Sequence, residues 1–191
     1  MENIRIILAS ASPRRRQLLT QIGINFEVVE SGADETAHGA AHKQVEVLAL
    51  RKADAVRQKI SGEAIIIAAD TLVELGGEVL SKPVDAEEAF KMLKALQGRR
   101  HTVYTGVALV RTGDNKAISA FVEVADVFFR HLSDAEIRAY INTGEPFDKA
   151  GAYGVQDRGA AFVRRVEGDY FAVVGLPLAR LVEELAKISV T

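Results

Sequence analysis

The chain contains two apolar stretches without the regular polar alternation of a strand that has one face in water. IRIILAS lies near the start of the chain, and AIIIAAD leads to Asp70. Continuous apolar runs are typical of strands buried on both faces, so we expect two central strands, the second of which ends at Asp70. Other segments predict a short strand, two hairpins and a strand pair around the turn TGDN: FEVVE, TLVELGGEVL, AAFVRRVEGDYFAVVG, VYTGVALVR and AISAFVEVADVFFR.

Apolar residues at helical spacing predict five helices between these strands. Their predicted starts are Pro13, Lys43, Asp85, the Ser133–Glu136 capping box and Pro177, and the second helix is expected to run to about Ile60. Strands and helices alternate first and hairpins follow. This order predicts a mixed α/β fold (α+β in part), with a central mixed sheet flanked by helices. We expect residues 1–191 to form one domain, because no repeat or linker interrupts the chain.

Composition narrows the functional classes. The chain carries 24 basic and 26 acidic residues, for a net charge of −2, whereas a general nucleic-acid binder would show a basic excess. It has no cysteine, which excludes disulfides and thiolate metal sites. No apolar run reaches the ~18 residues of a membrane span, and no signal-peptide pattern occurs. We therefore expect a cytoplasmic protein with no nucleic-acid or membrane partner.

Three consecutive arginines follow the first predicted strand of this slightly acidic chain. Arg14 and Arg15 fall in the first turn of a helix, where cations oppose the helix dipole, so helix stability does not explain them. The start of a helix presents backbone N–H groups to anions, Ser10 adds a hydroxyl donor, and guanidinium groups bind phosphate oxygens in pairs. The pattern favours a phosphate site, and a solvated basic turn is the alternative.

Lys52 and Asp70 are the next candidates. Lys52 lies seven residues after Val45 and four before Val56, on the apolar face of the second predicted helix, where a lysine is rare without a partner. The alternative is a side chain that extends to the edge of that face. Asp70 follows a buried strand, and open α/β sheets bind ligands at the carboxyl ends of their strands. A loop or helix-cap carboxylate is the alternative there.

The glycine-rich segment GEPFDKAGAYGVQDRGAAFV holds further polar groups. Glycines let a backbone approach a ligand closely, and the Gln156 amide offers a donor and an acceptor in one plane. Lys82, in LSKP, could by itself be a solvated lysine. Taken together, the basic residues indicate a ligand with several phosphates: Arg14, Arg15, Lys52, Lys82 and Lys149. No Walker A, GxGxxG or HExxH pattern occurs, which disfavours P-loop kinases, dinucleotide dehydrogenases and zinc hydrolases.

These stretches together resemble the Maf family of nucleotide pyrophosphatases. The resemblance covers most of the chain in order, through LASASPRRRQLL, RKA, AADTLVELGGEVLSKPVDAEEAFKMLKALQGRRHTVYTGVAL and GEPFDKAGAYGVQDRGAAFVRRVEGDYFAVVGLPL. It implies an inosine triphosphatase-like architecture with two lobes around a deep cleft, and a homodimer. It also implies hydrolysis of a nucleoside triphosphate to the monophosphate and pyrophosphate with a divalent metal cation, Mg²⁺ or Mn²⁺.

The same resemblance implies roles for individual residues. Asp70 corresponds to the catalytic carboxylate and Glu35 to a further acidic residue, and we expect both to hold the metal in part. The implied phosphate-binding residues are Ser10, Arg15, Lys52 and Lys82, to which the basic set adds Lys149. The implied base-selecting residues are Arg14, Thr71 and Gln156, in a state that resembles the subgroup acting on dTTP and UTP. A flipped glutamine amide would suit cytosine equally well, so CTP stays open.

Two other functions stay open. One is a nucleotide-binding regulator of cell division that uses the anion site without catalysis, although Asp70 and Glu35 beside the basic residues argue against it. The other is a hydrolase of other phosphorylated metabolites, such as sugar nucleotides. Release of pyrophosphate from dTTP, measured within a panel of substrates, would separate these functions from nucleotide hydrolysis.

Overall fold

The structure, a computed structural model, describes residues 4–113 and 117–188. Its strands are β1 (Arg5–Leu8), β2 (Glu27–Val28), β3 (Ala64–Leu75), β4 (Glu78–Leu80), β5 (Arg100–Arg111), β6 (Ala117–Phe129) and β7 (Val163–Gly168). Its α-helices are α1 (Pro13–Gln21), α2 (Ala41–Arg57), α3 (Ala86–Leu96), α4 (Asp134–Ile141), α5 (Tyr170–Val174) and α6 (Leu178–Ile188). Short 3-10 helices span Glu145–Asp148, Ala150–Ala152 and Arg158–Phe162.

The seven strands form one mixed sheet in the order β2-β1-β3-β5-β6-β7, with β4 paired to β3. β1 is parallel to both β2 and β3, and its last residue, Leu8, lies opposite Ile67. β4 and β7 pair in antiparallel fashion with β3 and β6. The predicted mixed α/β fold is therefore confirmed. Within the described part of the chain, no helix has both the length and the apolar character that crossing a bilayer requires.

The chain divides into two compact units. The first comprises Met1–Asp70, Thr105–Glu123 and Gly175–Thr191, and the second comprises Thr71–Tyr104 and Val124–Val174. β3, β5 and β6 each contribute residues to both units. The expectation of one domain with two lobes around a cleft stays a prediction.

The first unit has a core of small and branched side chains. Apolar residues of β1, β3 and β5, with Ala9 directly after β1, pack against one face of α2. The sheet side supplies Ile7, Ala9, Ala64, Ile66, Ala68, Ala108 and Val110, and α2 supplies Ala49, Ala53 and Val56. Gly106 of β5 permits very close packing, because a Cβ atom there would lie 2.4 Å from the carbonyl oxygen of Val45 in α2. The backbone contact fixes the height of α2 over the sheet, and α2 carries Lys52.

The second unit has a larger and more aromatic core. α3 and α4 supply Leu93, Leu96 and Ile137, which are fully buried. The aromatic rings pack edge to face, as in the pairs Phe129–Tyr153 and Tyr140–Phe162, with ring centroids 4.7 and 4.8 Å apart. Both helices have the predicted N-terminal caps. The Asp85 side chain accepts the backbone N–H of Glu88, and Ser133 and Glu136 form a capping box.

Some sequence expectations were wrong. β3 does not end at Asp70 but continues to Leu75, because its partner changes from β1 to β4 along its length. The second predicted hairpin has only its first strand, since YFAVV forms α5. The Asp169 carboxylate starts that helix by accepting the N–H groups of Phe171 and Ala172. The helix predicted from Lys43 to about Ile60 is α2, which begins two residues earlier, at Ala41, and ends at Arg57. The turn TGDN lies partly outside the described residues.

Candidate active site

The corner between β1 and α1 holds a buried arginine and a serine. Ser12 occupies the N-cap position of α1 and Pro13 its first position, as the sequence predicted. Arg15 is 9% exposed, and its Nε donates to the carbonyl oxygen of Gly175 at 2.8 Å. Its Nη1 donates to Ser10 Oγ at 3.2 Å. The guanidinium of Arg15 is therefore fixed in the protein rather than solvated.

Lys52 joins two carboxylates. Its Nζ lies 2.6 Å from Asp70 Oδ1 and 2.7 Å from Glu35 Oε1. The side chains of Lys52 and Asp70 are 9% and 11% exposed, whereas that of Glu35 is 57% exposed. Lys52, on the apolar face of α2, therefore has negative partners, which agrees with the first of the two interpretations of its position. Asp70 is available because β1, the parallel neighbour of β3, has already ended at Leu8.

The loop that carries Glu35 is held by a second cation from α2. Arg51 Nη1 donates to the carbonyl oxygens of Asp34 and Thr36, each at 2.8 Å. These two carbonyl groups flank Glu35, so the guanidinium of Arg51 fixes the backbone on both sides of that carboxylate. Sequence reasoning missed Arg51. The available signal was its place in the RKA stretch beside Lys52.

The charges of this cluster act on one another. Burial lowers the pKa of Arg15, while the Asp70 carboxylate acts in the opposite direction; Arg14 lowers this pKa further and Glu35 raises it. Arginine stays protonated in proteins even so. The site therefore keeps fixed positive charge beside its two carboxylates. A cluster of fixed cations of this kind favours a ligand that brings additional negative charge.

The structure brings together five of the predicted residues within the first unit: Ser10, Arg15, Glu35, Lys52 and Asp70. Arg14 is half-buried in the same unit. The remaining predicted residues belong to the second unit: Thr71, Lys82, Lys149 and Gln156. Lys82 and Gln156 are exposed and Thr71 is half-buried. The roles of these residues stay predictions.

Lys149 is buried, with hydrogen bonds to its own segment. Its Nζ donates to the carbonyl oxygen of Glu145 at 2.9 Å and to Asp148 Oδ1 at 2.8 Å. These contacts give Lys149 a structural role in the glycine-rich segment, and the phosphate contact that the sequence predicts for it stays a prediction.

The carboxylates of Asp70 and Glu35 fit a magnesium site in their chemistry. Among the described residues, no group of three or more histidines and carboxylates is arranged to hold a metal ion. Magnesium, however, is usually held by one or two carboxylates together with waters and substrate phosphate oxygens. Two carboxylates that meet at one ammonium group supply that number of oxygen ligands. The donor set therefore suits a metal that binds together with a polyphosphate.

A serine and a buried arginine at a helix start that directly follows a buried strand are typical of an α/β protein that binds phosphorylated ligands. Comparison with protein families matches residues 5–188 to the family described as Maf-like protein. The chain belongs to this family, and the resemblance drawn from its motifs is confirmed.

Similar curated proteins are dTTP/UTP pyrophosphatases. That of Pelotomaculum thermopropionicum is 53% identical over 184 residues, which is 95% of each chain. That of Thermoanaerobacter sp. (strain X514) is 50% identical over 185 residues, which is 96% of each chain. Among solved structures, the Staphylococcus aureus Ham1 protein matches 65% of this chain and 71% of its own, with 16% identity and a TM-score of 0.44.

Proposed function

We propose that this protein hydrolyses dTTP and UTP to the nucleoside monophosphate and pyrophosphate. The observation that carries the proposal is the contact of Lys52 with both Asp70 and Glu35, in a chain that is about half identical to curated dTTP/UTP pyrophosphatases along nearly its whole length. A fixed set of cations beside a buried carboxylate supplies both of the functions that the reaction needs. The cations bind the polyphosphate, and the carboxylate receives a proton from water.

The cations act on the phosphate chain. Arg15 is held by Ser10 and by the carbonyl group of Gly175, so its guanidinium needs little reorganisation when a phosphate binds. Lys52 is already placed beside the carboxylates. Negative charge grows on the leaving pyrophosphate as the bond breaks, and fixed cations stabilise that charge. Lys82 and Lys149 are assigned to the same polyphosphate.

Asp70 acts on the attacking water. The water oxygen forms a bond to the α phosphorus while the bond between that phosphorus and the α–β bridging oxygen breaks. The bonding electrons leave with pyrophosphate, and the water proton passes to the Asp70 carboxylate. A positioned general base of this kind contributes about 10²- to 10⁴-fold to the rate. The ammonium of Lys52 at Asp70 Oδ1 fixes the orientation of the carboxylate that receives the proton.

Asp70 and Glu35 are the residues that would hold the divalent cation, Mg²⁺ or Mn²⁺. When bound, the cation supplies positive charge at the phosphate oxygens and makes a bound water easier to deprotonate. Arg51 contributes by keeping the Glu35 backbone in place.

Base selection is assigned to Arg14, Thr71 and Gln156. The planar amide of Gln156 can accept from the N–H and donate to a carbonyl group of uracil or thymine. CTP and modified pyrimidine nucleotides are further candidate substrates. The homodimer and the cytoplasmic location stay predictions, the first from the family resemblance and the second from the sequence.

Replacement of the catalytic carboxylate tests the proposal. Asp70→Asn keeps the size of the side chain but removes its capacity as a base, so we expect pyrophosphate release from UTP at saturating Mg²⁺ to fall at least about 100-fold in kcat. The matched control is Asp54→Asn in α2, because Asp54 is exposed and pairs only with Arg57 three residues later among the contacts described. The control should retain parental kcat.

Near-parental turnover of Asp70→Asn would exclude Asp70 as the base. A parental chain that binds dTTP and UTP but releases no pyrophosphate with either Mg²⁺ or Mn²⁺ would instead support the regulator. Faster hydrolysis of a sugar nucleotide than of any nucleoside triphosphate would support the third function.

A further inference from the structure

Tyr140, which is buried, and Glu145, which is half-buried, form a hydrogen-bonded pair in the second unit. The Tyr140 hydroxyl donates to Glu145 Oε1 at 2.7 Å. The same hydroxyl oxygen accepts the backbone N–H of Gly154 at 3.1 Å. Tyr140 is only 4% exposed, and its ring packs edge to face on Phe162. The phenol therefore has a fixed place, and both its donor and its acceptor functions are used.

The Glu145 carboxylate binds the backbone a few residues further along. Its Oε2 accepts the N–H of Arg158 at 3.1 Å, and its Oε1 accepts the N–H of Gly159 at 3.2 Å. Residues 154–159 thus form a loop, here called the Gln156 loop, whose two ends are attached to one pair of side chains. Gln156 lies between those ends and is exposed.

Glycine is needed at the second end of the Gln156 loop. A Cβ atom on Gly159 would lie 2.6 Å from the carbonyl oxygen of Gly154 and 2.9 Å from the Tyr140 hydroxyl. At the first end, a Cβ atom on Gly154 would lie 2.5 Å from Cε of the Lys149 side chain. Gly159 therefore lets the two ends approach each other and Tyr140 closely, which restricts the path of the backbone between them.

The Tyr140 phenol keeps the proton that it donates to Glu145. Burial raises the pKa of Tyr140, and its hydrogen bond to Glu145 raises it further. The phenol therefore keeps its proton at neutral pH, and the carboxylate accepts from the phenol and from two backbone N–H groups at once. An acceptor of this kind makes stronger hydrogen bonds than a neutral one.

We propose that Tyr140 and Glu145 are positioning residues for base selection, because they fix the loop that presents Gln156. The inference rests on the proposed function and on the assignment of Gln156 to the base. An amide that reads a base edge must lie within hydrogen-bond distance of it, and sites of this kind tolerate displacements of only about 0.5 Å. An exposed loop tip has few contacts of its own, so its ends set its position.

A UTP analogue whose base cannot donate this hydrogen bond allows base selection to be measured. In 3-methyluridine triphosphate a methyl group replaces the imide hydrogen of uracil. The base then has no N–H from which the amide oxygen of Gln156 could accept a hydrogen bond. The parental enzyme should prefer UTP to this analogue, because a site built for a hydrogen bond rejects a ligand that cannot make it. The preference is measured as the ratio of the two kcat/KM values for pyrophosphate release.

Tyr140→Phe and Glu145→Gln test the two positioning residues separately. Tyr140→Phe keeps the ring and removes the hydroxyl, and Glu145→Gln keeps the size of the side chain and removes its charge. We expect each to lower the UTP preference by about tenfold through a higher KM for UTP, because the hydrogen bond between Gln156 and the base would be weakened or lost. The kcat for UTP should stay within about threefold of the parental value. Amide hydrogen exchange in residues 154–159 should become at least about tenfold faster.

The controls separate this effect from general damage. Tyr170→Phe removes a hydroxyl from an exposed tyrosine and should change neither readout. Gln156→Ala should lower the UTP preference by itself, and adding Tyr140→Phe to it should lower the preference no further, because both act through one contact.

Each outcome bears on a different claim. If the parental enzyme releases no pyrophosphate from UTP, the proposed function is wrong. Hydrogen exchange does not depend on activity, so unchanged exchange in both variants would overturn the positioning role in either case. If Gln156→Ala keeps the full preference, base selection by Gln156 is wrong and so is this inference, although pyrophosphate release stands. If Gln156→Ala loses the preference while Tyr140→Phe and Glu145→Gln keep it, the inference is overturned. An equal loss of kcat on both nucleotides would also contradict it.

Discussion

At the scale of single residues, Lys52 determines the character of the site. A lysine with a 9% exposed side chain has lost most of its hydration, and its contacts with Asp70 and Glu35 compensate for that loss. Removal of one partner from such a pair leaves a buried charge and typically costs about 3–5 kcal/mol. The same contacts hold Asp70 in one orientation. Stability and the proposed catalysis therefore depend on the same three side chains.

His101 leads to a prediction on pH dependence. Burial lowers its pKa to about 4, its Nε2 lies 2.8 Å from the Tyr153 hydroxyl, and its Nδ1 is buried without a hydrogen-bond partner among the described residues. The folded protein keeps His101 neutral, whereas the unfolded chain takes up a proton below about pH 6.5. Stability should therefore be lost as the pH falls from about 6.5 to about 4, by up to about 3 kcal/mol.

Urea denaturation at about pH 7 and about pH 4.5 measures this contribution. His101→Asn removes the titrating group, so the variant should lose about 2 kcal/mol less than the parent between the two pH values, whatever its stability at neutral pH. His131→Asn, at an exposed histidine, is the control and should follow the parent. Parallel pH dependences in the parent and His101→Asn would contradict the prediction.

Prediction of single residues from the sequence succeeded where helical periodicity showed which way a side chain points. It failed where a contact depends on the path of an irregular loop. The position of Lys52 on an apolar face favours a negative partner, and the structure shows one in Asp70. Glu35 came from the family resemblance alone, because its loop has no periodicity that could place it. The contacts of Arg51 with that loop could not be foreseen for the same reason.

At the scale of elements, the pairing of strands determines the length of β3, which the sequence pattern did not predict. The sequence pattern predicts a strand end at Asp70 in AIIIAADTLVEL, because a charged residue within an apolar run resembles the end of a strand. The segment is one strand, β3, whose parallel partner stops at Leu8 and whose antiparallel partner begins at Glu78. Asp70 lies at that change of partner. The segment after Gly168 gave the opposite error, since Asp169 is equally suited to a hairpin turn and to a helix start.

The packing of α2 against β5 gives an element-scale prediction. Gly106→Ala would place a Cβ 2.4 Å from the carbonyl oxygen of Val45, so α2 must shift. Overpacking of this kind costs about 1–3 kcal/mol, and because α2 carries Lys52 and Arg51, kcat should fall with stability. Urea denaturation and pyrophosphate release from UTP measure the two effects.

Gly76→Ala is the matched control for the packing of α2. Gly76 has φ +62° and open space around its Cβ position, so alanine there should cost about 1 kcal/mol in backbone strain and leave kcat unchanged. A Gly106→Ala protein with parental stability would show that the contact with Val45 does not fix α2.

At the scale of the whole molecule, a net charge of −2 coexists with a local set of buried and fixed cations. Composition gave only an expectation against nucleic-acid and membrane partners, and the fold class followed from the order of the elements. The identity of the substrate did not follow from either. It depends on the family, whose motifs are spread over both units and span nearly the whole chain. The chain-wide likeness to dTTP/UTP pyrophosphatases and the Lys52 cluster support the same reaction.

Hydrolysis of UTP in H₂¹⁸O, with all products identified by mass spectrometry, tests that reaction most directly. Water attack at the α phosphorus predicts equal amounts of UMP and pyrophosphate, with one ¹⁸O atom in UMP and none in pyrophosphate. Formation of UDP and labelled inorganic phosphate, or label in pyrophosphate, would contradict the account.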